Sequence, residues 1–222
     1  QTLHGRKKDK DGNPVATVSN STVNRTTIVP LKALFMRAKR TWKYQFPLEP
    51  SWRDHWLQMP EERVRELDGS EAAALDATVR DDYALWFEFA RITGLRRQET
   101  LIRWKDVNWF AKRITTIGKR GKKVTTHITP EVKDILEQCK GHHAEFVFTY
   151  VCARTWGGKI KGQRYPITPE GAKTEWRRHR ARSGVEDFRF HDIRHDVATK
   201  LLRDTGNMKL VQKALNHSNI AT

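Results

Sequence analysis

Apolar residues fall into two regimes along this chain. Before residue 60 they recur at helical spacing in one place. Leu31, Leu34, Phe35 and Ala38 sit three and four apart within residues 22–43, which predicts an amphipathic helix. Lys32, Arg37, Lys39, Arg40 and Lys43 take much of its other surface. Pro30 lies inside the pattern and is expected to kink or split the helix, because it lacks an N–H and clashes with the preceding turn. Residues 1–19 are polar, with turn signals at Asp11-Gly12 and Asn13-Pro14, and read as a loop or arm. Residues 60–69 are charged and poor in apolar side chains, which places a domain boundary there.

Beyond that boundary the pattern is denser. Asp68-Gly69-Ser70-Glu71 fits a capping box that opens a helix to about residue 79. Residues 83–93 are strongly apolar and close at Gly94, a helix with a glycine stop. Residues 97–104 predict another short helix. β-Branched runs at 113–117 and 124–128 flank Lys119-Arg120-Gly121-Lys122, a hairpin with a basic turn. Pro130 opens a helix that runs to about Cys139. Residues 146–148 read as a short strand, 149–166 as a basic loop or second hairpin, and 169–182 as a basic helix. Two more helices, 192–203 and 207–216, meet at Gly206. The expected fold is α+β and mainly helical, with residues 1–60 and 67–222 as separate parts.

Charge changes the picture most. Lys and Arg number 42 against 26 Asp and Glu, a formal net charge of +16. Hydrophobic residues make up 37%, with eight Trp and nine Phe, so the chain can pack a core and is not a disordered basic tail. A folded chain with positive charge spread along it points to a polyanion, nucleic acid foremost. A solubility charge, or a basic ribosome-type or membrane-surface protein, is the alternative. No apolar run approaches the roughly 20 residues of a membrane span. The start is basic without an apolar stretch behind it, so no signal peptide is expected, and without an initiating Met the chain is expected to be a piece of a longer protein. Two cysteines, Cys139 and Cys152, exclude a disulfide scaffold and a four-cysteine zinc site, and a reduced intracellular setting is the default.

Four places combine basic chemistry with a defined local structure. In Thr93-Gly94-Leu95-Arg96-Arg97-Gln98-Glu99 an arginine follows a helix stop, where backbone N–H groups and a guanidinium both favour an anion. Solvated arginines on a capping turn are the plain alternative. Lys119 sits on the basic hairpin turn, a common position for a solvated lysine. His191 and Arg194 are three apart and share a helix face, as do His191 and His195. The two histidines invite a metal reading, but Asp192 stands where a zinc-helix motif has glutamate, and no third ligand is identified. A histidine and an arginine facing a phosphate match better. His217 ends the last helix, where a plain C-terminal capping role is the alternative.

In this order and spacing the four places resemble the tyrosine recombinase family, the phage integrases and Xer-like recombinases. TGLRRQETLIRWKDVNW is similar to the family's first arginine box, FHDIRHDVATKLL to its His-x-x-Arg box, and LVQKALNHSNIAT to the box carrying its second histidine. The resemblance runs from about Leu67 to the end. Weaker similarity from Val18 to Arg25 and in the following helix suggests the tail of the family's helical core-binding domain. Asn216 stands where the family usually has glycine, and asparagine also tolerates a left-handed cap.

The resemblance implies a site-specific recombinase or integrase that breaks and rejoins DNA through a 3′-phosphotyrosine link, with no metal, ATP or other cofactor. Arg96 and Arg194 would neutralise the phosphoryl oxygens. Lys119 would protonate the leaving 5′-oxygen, with Lys122 as its rival. His191 would assist at the nucleophile and His217 would bond a phosphoryl oxygen. Glu99 would orient an arginine or histidine, and Asp192 and His195 would serve packing. Lys32, Arg37, Lys39 and Arg40 on one side, and Arg120, Lys122, Lys173 and Arg177 on the other, would clamp the backbone of duplex DNA. Expected partners are double-stranded DNA and other protomers in a tetrameric synapse, with no membrane. The setting would be the cytoplasm and nucleoid of a bacterial or phage host. The family's tyrosine is expected shortly past Thr222, since Tyr44, Tyr83, Tyr150 and Tyr165 all lie outside that box. The fragment is therefore expected not to cleave covalently. A type IB topoisomerase-like enzyme, a non-catalytic DNA-binding regulator with the same fold, and a metal-dependent nuclease using His191 and His195 are the alternatives.

Overall fold

The computed structural model describes residues 18–59, 65–118 and 121–215. The chain divides into two compact units between Arg63 and Val64. In the first, Ser19 accepts from the Thr22 N–H and caps α1 (Asn20–Val23). A π-helical turn, Asn24–Ile28, leads into α2 (Val29–Thr41). Pro30 splits the α-helical ladder without breaking the rod. The Val29 N–H reaches back to the Asn24 carbonyl, one residue further than an α-helical bond. α2 then restarts with Pro30 in its first turn, where a missing N–H has no intrahelical partner to lose. Buried Asn24 fixes the returning chain, donating to the Leu57 carbonyl at 2.7 Å and accepting from the Leu57 N–H at 3.0 Å. Phe35 stacks on Phe46 and meets Trp52 edge-on, with ring centroids 4.6 and 5.3 Å apart. The apolar face of α2 is half used. Ala38 is buried, whereas Leu31 and Leu34 are exposed, because these rings cover only the Phe35 side.

The second unit is mainly helical α+β. Asp68 and Glu71 form both bonds of the expected capping box and open α3 (Gly69–Thr78). At the centre lies α4 (Asp81–Thr93), which buries Tyr83, Trp86, Phe87, Phe89 and Ala90 and stops at Gly94 in a left-handed conformation. Such all-round burial marks a core helix. The stacking of Trp86 on Phe190 and of Phe87 on Trp176, at 5.3 and 5.7 Å, ties it to the later helices.

Residues 97–104 do not form the expected helix. They make one turn and then extend, so that Ile102, 1% exposed, enters the core while its carbonyl accepts from the Val147 N–H and Arg103 bridges to Phe146. Burial and cross-chain pairing outweigh helix propensity here. A 3₁₀ turn at Trp104–Asp106 precedes β1 (Val107–Asn108), too short to show a period in the sequence. β1 pairs antiparallel with β2 (Arg113–Ile117), and β2 with β3 (Lys123–His127) in the register Thr115↔Thr125. Thr129 caps α5 (Pro130–Cys139). The strand expected at 146–148 starts instead at Thr149. Val147 and Phe148 are apolar because they are buried, and the ladder joins β4 (Thr149–Val151) to β5 (Arg164–Pro166) as a second hairpin. Three helices complete the unit: α6 (Pro169–Ser183), α7 (Asp192–Thr205) and α8 (Met208–Ala214).

Candidate active site

The loop after α4 is held from several directions. Gly94 has φ 59°, and a Cβ there would stand 2.8 Å from Leu215 Cδ2 and 3.2 Å from the Val197 side chain. The loop therefore lies directly on α7 and the end of α8. Arg194, 3% exposed, donates to the Gly94 carbonyl at 2.9 Å and to the Leu215 carbonyl. One rigid fork of N–H donors thus joins three segments far apart in sequence. Burial first, then the charge of Arg96, pushes the Arg194 pKa down to about 10, with Glu99 acting in the opposite sense. At neutral pH the group keeps its charge.

Arg96 follows on the same loop. Glu99, 2% exposed, accepts from both the Arg96 N–H and its guanidinium, each at 3.0 Å. The carboxylate caps the turn and sets the direction of the side chain together. Gly118 closes on Glu99 from the other side. A Cβ there would lie 2.8 Å from Glu99 Oε1 and 2.7 Å from Val124 Cγ2, so any side chain would force one of them to shift. The basic β2–β3 turn therefore springs from the carboxylate that holds Arg96. Lys119 and Arg120 on that turn, and His217, lie outside the described residues. Lys122 is exposed, and its carbonyl accepts from the Gly118 N–H at 2.7 Å.

His191 stands at the N-cap of α7 rather than within it. Its exposed ring meets His195 edge-on at 5.1 Å. Loss of water from part of the ring, then the charges of His195, Arg194 and Arg96, lower its pKa from the ordinary 6.5. It is neutral at pH 7 and able to take a proton. Asp192 is buried and accepts from the Arg189 N–H at 2.8 Å, closing the start of α7. Among the described residues no three His, Cys, Asp or Glu side chains are grouped to hold a metal.

Arg96 and His191 line a cleft of ≈ 630 Å³. Lys173 and Arg177 of α6 line it as well. Arg97, Arg180 and Arg189 line it too, although sequence reasoning had not singled them out. Two signals for them were available: residues 173, 177 and 180 are four and three apart, one helix face, and Arg97 and Arg189 flank residues already of interest. Lys32, Arg37, Lys39 and Arg40 are exposed on α2 of the first unit. There Lys39 pairs with Glu49, and the Arg37 guanidinium lies 5.9 Å from the Trp42 ring centre.

The sequence model of the phage integrase family matches residues 65–222. The integrase of Salmonella phage P22 is 30% identical over 181 residues, which cover 78% of this chain and 45% of that protein. The tyrosine recombinase XerC of Rhodospirillum centenum is 29% identical over 139 residues, 58% of this chain and 37% of the relative. The chain thus spans about half or less of the length of these curated relatives. Among solved structures, a lambda integrase (75–356) dimer bound to a COC′ core site superposes with TM-score 0.62 at 18% identity, covering 86% of this chain and 68% of that one. The Tn1549 transposon integrase with circular intermediate DNA also gives 0.62, at 17% identity, covering 92% and 73%. At such identities the likeness is one of fold.

Proposed function

The chain belongs to the phage integrase family, and we propose on that basis that it is part of a site-specific DNA recombinase acting through a 3′-phosphotyrosine intermediate. The observation that carries this reading is that Arg96 and Arg194, from segments that the sequence keeps far apart, both lie by one buried carboxylate, Glu99, with His191 close enough to feel the charge of both arginines.

The reaction asks for three things. Negative charge on the phosphoryl oxygens must be neutralised as it grows. Arg96 and Arg194 are permanent cations with planar forks that suit two oxygens. The attacking tyrosine must lose a proton, and neutral His191 is the group proposed to assist it. The leaving 5′-oxygen must gain a proton. Lys119 is the proposed donor, since its neighbour Gly118 is packed against Glu99. His217 is the proposed partner of a phosphoryl oxygen. It follows Leu215, whose carbonyl Arg194 holds. The bond energy passes to the phosphotyrosine link, so rejoining needs no ATP.

Residues 1–60 are proposed as part of a helical core-binding domain, and exposed Lys32, Arg37, Lys39 and Arg40 as its contacts to DNA. The proposed partners are duplex DNA and other protomers of the same protein. The proposed nucleophile is a tyrosine encoded past Thr222, so the chain by itself is expected to bind DNA without joining to it. Labelled nicked duplex carrying the recombination site is incubated with the chain, denatured in detergent and run on a gel. No DNA-linked band is expected. Restoring the natural residues after Thr222 should create one, and Tyr→Phe within them should remove it. A band from residues 1–222 alone would overturn this placement of the nucleophile.

A further inference from the structure

Much of the basic cleft extends beyond Arg96 and His191. Six Lys or Arg side chains line it against one carboxylate, Glu170. Elsewhere in this unit several arginines are paired: Arg65 with Glu71, Arg80 with Asp82, Arg91 with Asp76, Arg103 with Glu145 and Arg203 with Glu66. In the cleft, no ion pair holds Arg97, Lys173, Arg177 or Arg180 among the described residues. Arg97 is the sharpest case. Its Nε is buried and has no hydrogen-bond partner among the described residues, and a buried donor left unmet is destabilising unless a ligand supplies an acceptor.

The footing of Arg97 is rigid. Its carbonyl accepts from the Thr100 hydroxyl at 2.7 Å, and that hydroxyl accepts from the Trp86 indole N–H at 2.8 Å. Thr100 and Trp86 are both buried. On α6, Lys173, Arg177 and Arg180 follow one another at four and three residues, so one helix face lines the cleft. Like charges gathered in a cleft repel, and an anion between them removes that cost. Planar guanidinium forks select oxyanions, phosphate above all.

We propose that Arg97, with Lys173, Arg177 and Arg180, forms a second phosphate subsite that holds a DNA backbone phosphate other than the one faced by Arg96. This rests on the reading of the chain as a DNA-binding recombinase. Holding a second phosphate would fix the register of the strand, so that the reacting phosphate is presented to Arg96 and His191 without help from base contacts.

The test uses the chain as it stands and a fluorescent duplex, with affinity measured from roughly 50 to 200 mM salt. Each phosphate contact contributes about 0.9 to the slope of log affinity against log salt. Arg97→Gln should lower the slope by about one and weaken binding roughly eightfold near 0.1 M salt, the counterion-release factor of one contact. Arg97→Lys should restore the slope, since it keeps the charge. Arg203→Gln, which removes an arginine paired outside the cleft, should leave it unchanged. A slope for Arg97→Gln equal to that of the unmodified chain overturns the subsite. If the unmodified chain itself shows no salt-dependent binding, it is the DNA-binding reading that fails. If Arg97→Gln does not fold, judged by its unfolding midpoint, exposed Lys173→Gln and Arg177→Gln carry the same test. Millimolar inorganic phosphate at matched ionic strength should leave DNA affinity unaltered. Weakening to the Arg97→Gln level would make this a free-anion site and overturn the proposal.

Discussion

Arg194 shows how much one side chain can decide. Its guanidinium satisfies the Gly94 and Leu215 carbonyls, so Arg194→Ala leaves two carbonyls without their donor. Each unmet buried group costs about 1–3 kcal/mol. Urea unfolding of Arg194→Ala should report a loss of roughly 2–4 kcal/mol, part of the full sum being offset by removal of a desolvated charge. Arg194→Lys should recover little of it, because an ammonium cannot reach both carbonyls in a fixed fork. Histidines set the acid side of stability. His179 is buried, and its Nε2–H donates to the Leu75 carbonyl at 2.7 Å. Burial lowers its pKa first, and burial also leads the lowering at His142 and His191. The unfolded chain therefore binds these protons at a higher pH than the folded chain. Stability is full above about pH 6.5 and falls as pH drops from there toward the lowered folded values. The melting temperature should drop between pH 7.5 and 5.5. His179→Gln, which keeps a donor and does not titrate, should shrink that drop, and an unchanged drop would exclude His179 as a source.

At the scale of elements, Gly118 couples the β2–β3 hairpin to Glu99. Gly118→Ala would drive a methyl toward Glu99 and Val124. In a protein extended to carry the proposed tyrosine nucleophile, its cleavage rate should fall on the order of 10²-fold, the cost of misplacing a catalytic group by about 1 Å. Its melting temperature should fall by only about 2–6 °C, consistent with local overpacking. Gly94→Ala, with its left-handed φ and contacts to Leu215 and Val197, should instead lose stability and rate together. Elements announced by their ends were legible in the sequence: the Asp68–Glu71 box, the Gly94 stop and Pro130 each have a local cause. Elements decided by distant partners were not. Residues 97–104 extend because Val147 and Phe146 wait for them, β1 exists only through β2, and the 146–148 run owes its apolar character to burial rather than to a ladder. The candidate site followed the same rule. Arg96, Glu99, His191 and Arg194 stood in recognisable boxes, whereas Arg97, Arg180 and Arg189 acquire meaning only once a cleft gathers them.

The whole molecule is two units with a large excess of positive charge between them. With a net charge of +16, its affinity for duplex DNA should fall about 10³–10⁵-fold between 50 and 200 mM salt, as for a protein making 6–10 phosphate contacts. A flat titration would remove nucleic acid as the reason for the charge. The second unit carries its own aromatic core around α4. Residues 64–222 expressed alone should therefore unfold cooperatively, while binding DNA with a shallower salt slope because the cations of α2 are gone. The buried fork of Arg194 also limits how parts of this protein can be exchanged with those of a relative. A graft of the loop after α4, of α7 or of the end of α8 arrives with a carbonyl or a guanidinium shaped for its old neighbours. These three pieces are therefore transplantable only as a set, whereas the α6 face, which meets none of those carbonyls, can be swapped by itself to retune the proposed grip on DNA.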